Sequence, residues 1–406
     1  MIKILRVFEL LVAVLAALSL SNAHSKEYLL EADIDVRAEY NDNIFLTNLP
    51  HDSTKGIFVT PALSGIIKEE NWEGELRARI RAERYSDDDL NGNDQLFDLT
   101  GRYLAERNIF SLNITHYLDS NLSSASSDFG TVIGRRVNRK TQSVAPQYTR
   151  LLTERSVLQI TYAYTDVDFL EAENTGFTPY ITETGLGSYI YDLTERDKLT
   201  ISLTAIDYTS KNELVTYQLF LSRFGIAHEF SKTLSADFLI GVSRRNTTNL
   251  QTQSFDFFGQ PITLTQEIDS KSRGLVYDAG ITQLLESGQI EGRLSRNDTT
   301  DSFGGLNEVN RLTINYTDKI SELWRYRING RFEDITAVGA SSRRNDRDLF
   351  FFESVAYYSI SKNWGVNASY RYVLRKYKSD TSNNRAPHSN RIYVGLTYNF
   401  PSLSTF

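Results

Sequence analysis

The chain contains no cysteine. That excludes a disulfide framework and leaves side-chain packing, or a closed ladder of backbone hydrogen bonds, to hold an exported protein together. Beyond the first two dozen residues there is no long apolar run, and the mean hydropathy is −0.36. A helical membrane protein is therefore excluded. Positive charge is also short: 44 Lys and Arg stand against 51 Asp and Glu, for a net charge of −7. A mildly acidic chain does not look like a nucleic-acid binder, and no nucleic-acid partner is expected. The five histidines, His24, His51, His116, His228 and His388, are scattered without the spacing of a metal site. His116 lies near Asn113 and Asp119, which chance supplies as readily as chemistry. There is no G-x-S-x-G, phosphate-loop or dinucleotide motif. The sequence thus predicts no catalytic residue, no cofactor and no metal ligand.

What is present begins at the N-terminus. Lys3 and Arg6 precede the apolar run Leu10–Leu20, and Ser21-Asn22-Ala23 is a small-residue cleavage site. This predicts a secretory signal peptide over residues 1–23, although Glu9 beside the run departs from the pattern. Without the charges of Lys3, Arg6 and Glu9, 42 basic and 50 acidic residues remain.

The three tryptophans occupy equivalent places. Trp72, Trp324 and Trp364 each follow a short polar turn, and from each the chain alternates apolar and polar residues for about ten positions. After Trp72, residues Gly74, Leu76, Ala78, Ile80 and Ala82 alternate with Glu73, Glu75, Arg77, Arg79, Arg81 and Glu83. A period of two puts these sets on opposite faces of a strand. Runs near ten residues exceed the five or six typical of a soluble β-sandwich. They match strands crossing a bilayer, with an aromatic residue anchored at the interface.

Short polar turns recur near Glu70, Arg107, Glu154, Glu195, Lys232, Ser287, Glu322 and Lys362. Between them lie polar stretches at Leu46–Lys55, Ser120–Lys140, Asn249–Lys271, Val338–Asp346 and Ser379–Asn390, expected as long loops. The fold expected for residues 24–406 is an all-β, transmembrane antiparallel barrel of about 18 strands (about 16–20). Trp72, Trp324 and Trp364 then mark the periplasmic girdle. Pro61 and Pro146 each remove a ladder donor and are expected at bulges. Phe350-Phe351-Phe352 breaks the alternation. The run from Ile392 to Phe400 ends in aromatics, with Pro401 and a tail to Phe406 after it. It resembles the C-terminal signal read by the outer-membrane assembly machinery.

A mid-bilayer Arg facing lipid costs roughly 2–4 kcal/mol, so the charged face of each strand must line the interior. The candidate lumen residues are Arg77, Arg79, Arg81, Arg325, Arg327, Arg331, Arg371, Arg375, Glu73, Glu75, Glu83, Glu291 and Glu333. They can fill the barrel as cross-strand ion pairs, or line a hydrated path whose guanidinium groups attract anionic solutes. Both can hold together. A barrel of this width admits an aqueous channel unless loops plug it.

One short element adds a family likeness. Tyr40-Asn41-Asp42-Asn43-Ile44-Phe45 follows the first strand and on its own reads as an Asn/Asp turn. In an aromatic-rich barrel of this length it resembles the β-barrel porins found with exopolysaccharide and exosortase loci of Gram-negative bacteria. The architecture is also similar to the alginate-export barrels. These resemblances imply a bacterial outer-membrane location among outer-membrane lipid, and a link to extracellular, anionic polysaccharide. The function expected is a porin-like channel. The alternative is a non-conducting barrel whose long loops dock a cell-surface partner.

Overall fold

Strict alternation leaves each strand with one apolar and one polar face, and only a closed sheet can bury one inside while satisfying every backbone group. The computed structural model shows that solution. It describes residues 27–48, 51–122, 135–170, 175–257, 260–338, 346–378 and 386–405. The leader expected over residues 1–23 and the terminal Phe406 lie outside the described residues. The first nine strands are β1 (Glu27–Asn41), β2 (Thr54–Lys68), β3 (Trp72–Tyr85), β4 (Gly92–Ala105), β5 (Asn108–Ser120), β6 (Asn138–Thr153), β7 (Ser156–Leu170), β8 (Tyr180–Asp192) and β9 (Asp197–Ser210). The next nine are β10 (Val215–Glu229), β11 (Leu234–Phe257), β12 (Gln260–Leu284), β13 (Gly288–Thr300), β14 (Leu306–Asp318), β15 (Trp324–Val338), β16 (Arg347–Ser359), β17 (Trp364–Tyr377) and β18 (His388–Asn399).

Each strand pairs with its sequence neighbour, and β1 pairs with β18 from Asp33↔Asn399 to Asn41↔Arg391, closing the ring. A short β19 (Leu403–Thr405) resumes past Pro401 against Tyr28–Leu30 of β1. All eight short turns fall at one end, and the loops gather at the other.

The outer face carries an apolar band. Leu203, Val242, Ile57, Ile201 and Phe224 all project from the wall. At the short-turn end the aromatics interlock. Trp324 packs on Tyr358 at 4.8 Å, Trp364 on Tyr398 at 4.7 Å, and Tyr398 on Phe400 at 4.9 Å. The Trp72 indole donates to Glu69 at 2.6 Å. An apolar band with an aromatic ring on a closed antiparallel barrel is the architecture of the bacterial outer membrane, where short turns face the periplasm and long loops the exterior.

Three local expectations need correction. Asn249–Lys271 is not a loop: β11 and β12 run on as a two-stranded ribbon of 24 and 25 residues, paired to Phe257↔Gln260. Its alternating Thr, Gln, Leu and Ile suit a strand, while its polar composition reads as loop. Pro61 and Pro146 make no bulge. Register is unchanged on either side of each, from Val59↔Ala82 to Ala62↔Arg79 and from Val144↔Tyr164 to Gln147↔Thr161. Each proline drops out of one ladder and stays paired on its other side, with Ile34 and Leu112 respectively. The one shift recorded in these ladders lies between Leu151 and Thr153. Finally, Phe351 does not break the alternation. It points inward, beneath the guanidiniums of Arg331 (5.0 Å) and Arg371 (5.2 Å), while Phe350 and Phe352 lie with the outward Tyr372 and Tyr370.

The two faces make a direct prediction. Leu203, 61% exposed, faces lipid and its neighbour Thr204 faces the lumen. Leu203→Arg should lower unfolding free energy in lipid by about 2–4 kcal/mol, and Thr204→Arg by well under half of that. Equal losses in urea titrations of the lipid-embedded protein would mean that the faces are assigned wrongly.

Candidate channel interior

The inner face is divided by chemistry. From β13 round through β18 to β6 it carries ionic side chains; from β7 to β9 it carries Gln159, Thr161, Thr165, Thr182, Ser202 and Thr204 at inward positions. Against β1–β6 lies a cavity of about 850 Å³, bordered by Asp33, Asp35, Arg77, Arg79, Asp98 and Arg139 among others.

Most of the candidate lumen residues are paired. Arg77 bonds Glu75. Arg81 meets Glu83 at 2.9 Å and also holds Asp94, and Arg136 reaches Glu83 and, at 3.0 Å, Asp94. Glu83 is only 1% exposed, so this cluster is stable only because each charge has its partner. Glu73 lies 3.4 Å from Arg102, and Glu291 4.0 Å from Arg293. Buried Glu333 accepts from Arg311 at 2.6 Å and lies 3.5 Å from Arg331. Glu353 joins Arg371 at 2.6 Å and Arg327 at 3.9 Å. Arg375 is buried, 3.5 Å from the Tyr377 hydroxyl. Arg79 and Arg325 differ: both are exposed to the lumen, and neither has a hydrogen-bond or ion-pair partner among the described residues.

Asp33, Asp35, Glu39, Asp94, Arg136, Arg245, Asp298 and Glu353 belong to the same interior and were not singled out from the sequence. Period-two parity identifies those on regular strands. Nothing in sequence brings loop residue Arg136 to Glu83. Conversely, His116 points outward beside Phe97, while Tyr117 and Asp119 border the cavity. The wall therefore separates His116 from Asp119. Among the described residues, no group of three His, Asp or Glu side chains could hold a metal.

The long-loop end is narrowed from within. The β12–β13 ladder stops at Tyr277↔Arg296, although both strands continue. Above that rung the β13–β14 hairpin bends into the barrel and lies on the inner surface of β9–β12. Its Asp298 binds Arg245 (Nε to Oδ2, 2.9 Å), and its Glu308 binds the same guanidinium at 3.1 Å. Thr300 meets the Tyr217 hydroxyl, and Leu306 packs with Tyr208, Tyr217, Leu219 and Val276. The tip is held by Asp301, whose carboxylate accepts from the N–H groups of Phe303 (3.0 Å) and Gly305 (2.8 Å). Gly304 has φ +78°, and a Cβ there would come within 2.8 Å of the Tyr208 hydroxyl, so glycine is required twice over. Phe303 then stacks near Phe177 at 5.1 Å, and Phe177 joins Phe169, Val167 and buried Val137.

The Tyr40–Phe45 element lies at the same end of the barrel. Asp42 accepts from the Asn390 N–H and side-chain amide, both at 2.7 Å, and the Asn43 amide donates to the carbonyls of Thr47 and His388 at 2.9 Å. The first strand is thus tied to the last. Ile44 and Phe45 fold against Phe58, Tyr85, Leu90 and Leu122.

No family model matches the chain, and no curated protein matches it. Solved structures that resemble it include OccAB2 of Acinetobacter baumannii (12% identity, TM-score 0.44, covering 92% of this chain and 98% of that one). Another is OpdK of Pseudomonas aeruginosa with vanillate (10%, 0.46, 92% and 99%). A third is a bacterial polysaccharide outer-membrane secretin (9%, 0.37, 91% and 98%).

Removing one partner from the buried Arg245–Asp298 pair strands the other. Arg245→Ala should cost about 3–5 kcal/mol, while the double change Arg245→Leu with Asp298→Leu should recover most of the loss. Chemical denaturation of both variants checks this. A double variant as unstable as the single one would show that the pair does not act as a unit.

Proposed function

We infer that the protein is a channel for polar, anionic solutes, wide at the short-turn end and narrowed at the long-loop end by the β13–β14 hairpin. The carrying observation is the contrast within the lumen. Most of its guanidinium groups are paired with carboxylates, whereas Arg79 and Arg325 are exposed and make no hydrogen bond or ion pair among the described residues. A free guanidinium in a confined, water-filled space attracts carboxylate or phosphate and is fit to bind it bidentately. The facing wall of Ser, Thr and Gln side chains supplies donors and acceptors suited to hydroxyl groups. Together these suit an acidic carbohydrate, in keeping with the resemblance carried by Tyr40–Phe45 to porins of exopolysaccharide loci. Export of such a polymer is the pathway this reading implies.

Planar-bilayer recording across a salt gradient tests the reading. The wild-type channel should prefer anions. Arg79→Glu and Arg325→Glu should each lower the anion-to-cation permeability ratio by about two- to threefold, with a smaller change for the already paired Arg77→Ala. Shortening the hairpin by removing residues 302–304 should raise conductance. The inward-packed mouth also favours a second reading, a non-conducting barrel that docks a surface partner. Absence of conductance steps from both the wild type and the shortened hairpin would favour that reading and exclude the channel.

A further inference from the structure

The outer face carries a cationic patch that the channel does not use. On β11 and β12, Arg244 stands directly opposite Arg273, and on the next rung Asn246 stands opposite Lys271. Arg244, Arg273 and Lys271 are exposed, and none has a hydrogen-bond or ion-pair partner among the described residues. Like charges directly opposite on adjacent strands destabilise the pairing. Elsewhere the barrel compensates such a pair. Arg371 and Arg391 also face each other, on the inner surface, but Arg371 has Glu353 at 2.6 Å and Arg391 has Glu39 at 2.5 Å. Among the described residues, no carboxylate forms an ion pair with either arginine of the outer pair. The acidic groups on that face stand further out or one strand further round: Asp269 accepts from the Thr248 hydroxyl at 2.7 Å, Glu267 lies a rung beyond it, and Asp207 accepts from the Gln218 amide at 3.2 Å. Across the open β12–β13 seam, Glu308 is held by Arg296 at 2.5 Å and by Arg245 at 3.1 Å.

Height on the wall identifies what supplies the missing charge. The rung below Arg244↔Arg273 on the outer face is Val242↔Leu275, 61% and 46% exposed, followed by Ile240↔Tyr277 and Phe238↔Ala279. Those rows face lipid chains. The two guanidinium groups are the first charged side chains above them on the long-loop side, at the level of the lipid headgroups. Guanidinium groups in cross-strand register present parallel N–H donors that match the oxygens of one phosphate group. Lysine adds a point charge one rung further out.

We propose that Arg244, Arg273 and Lys271 form a binding site for the phosphate of an outer-leaflet lipid headgroup, seated on the outer wall beside the β12–β13 seam. The site rests on the orientation that puts the long loops outside the cell, and is independent of what passes through the lumen. A lipid held there also shields the two arginines from each other and covers the seam, where the β12 ladder lacks its β13 partner.

Native mass spectrometry of the full barrel in detergent tests the site, using a bisphosphorylated glucosamine lipid, phosphatidylethanolamine and inorganic phosphate as separate probes. The wild type should retain the bisphosphorylated lipid and discriminate against the zwitterionic one. Arg244→Gln with Arg273→Gln should weaken retention about tenfold or more. Lys376→Gln, on the outer face opposite Asp348, should leave it unchanged. Because all three side chains are exposed and unpartnered, the variants should keep wild-type heat-modifiable migration, which confirms folding. Equal retention of the lipid by wild type and double variant overturns the proposal. So does inorganic phosphate binding as tightly as the lipid, which indicates a free-anion site. A wild type that inserts into no vesicle instead removes the membrane orientation itself, and that result is distinct from loss of the lipid site in a protein that inserts.

Discussion

Everything in this protein depends on satisfying the backbone hydrogen bonds of the first and last strands against each other. A sheet surrounded by lipid has no water to pair an open edge, and each unpaired group costs several kcal/mol. Nine successive residue pairs join β1 to β18. The Tyr40–Phe45 element is the clasp. Asn41 accepts from Ser389, Asp42 from Asn390, and Asn43 reaches the His388 carbonyl. A segment that looks like a family signature in sequence therefore has a mechanical task. It locks the closing seam at the end opposite the short turns, while β19 and Phe400 complete the closure at the short-turn end.

Closure makes the inside a confined space, and confinement decides how charges behave there. A carboxylate as enclosed as Glu83 or Glu333 is tolerable only when guanidinium groups surround it. The lumen is accordingly crowded with formal charge but nearly neutral along most of its wall. The two readings of the inward residues, ion-pair filling and solute path, describe different members of one set. Glu83, Arg81 and Arg136 hold strands and a loop together; Arg79 and Arg325 are exposed and make no hydrogen bond or ion pair among the described residues.

The same requirement explains the interrupted β12–β13 ladder. Releasing two strands from each other above Tyr277 and Arg296 forfeits ladder bonds. The freed hairpin regains contact by laying its Asp298, Thr300, Glu308 and Leu306 on the inner wall. A seam in the barrel and a constriction in its lumen are two consequences of one bend. The outward arginines beside the seam complete this picture from the lipid side.

Much of this was legible in the residue order, because period-two alternation reports directly which side of a sheet a residue occupies. The eight short turns, the eighteen strands, the tryptophan ring and the inward register of Arg77, Arg331 and Glu333 all follow from local chemistry repeated along the chain. The sequence misled at Asn249–Lys271, where a polar segment continues as paired strands, at the two prolines, where a lost donor left the register intact, and at Phe350-Phe351-Phe352, where an inward ring sits under two guanidinium groups. Contacts between distant strands carry no local signal. That Arg136 meets Glu83, that Arg245 meets Asp298, and that Phe303 crosses to Phe177 depend on the curvature of the closed wall and the inward bend of one hairpin. Sequence by itself determined which residues face the lumen. Only the tertiary structure decided which of those charges are spent on one another, because pairing is set by distance across the barrel, and alternation along a strand contains no information about it.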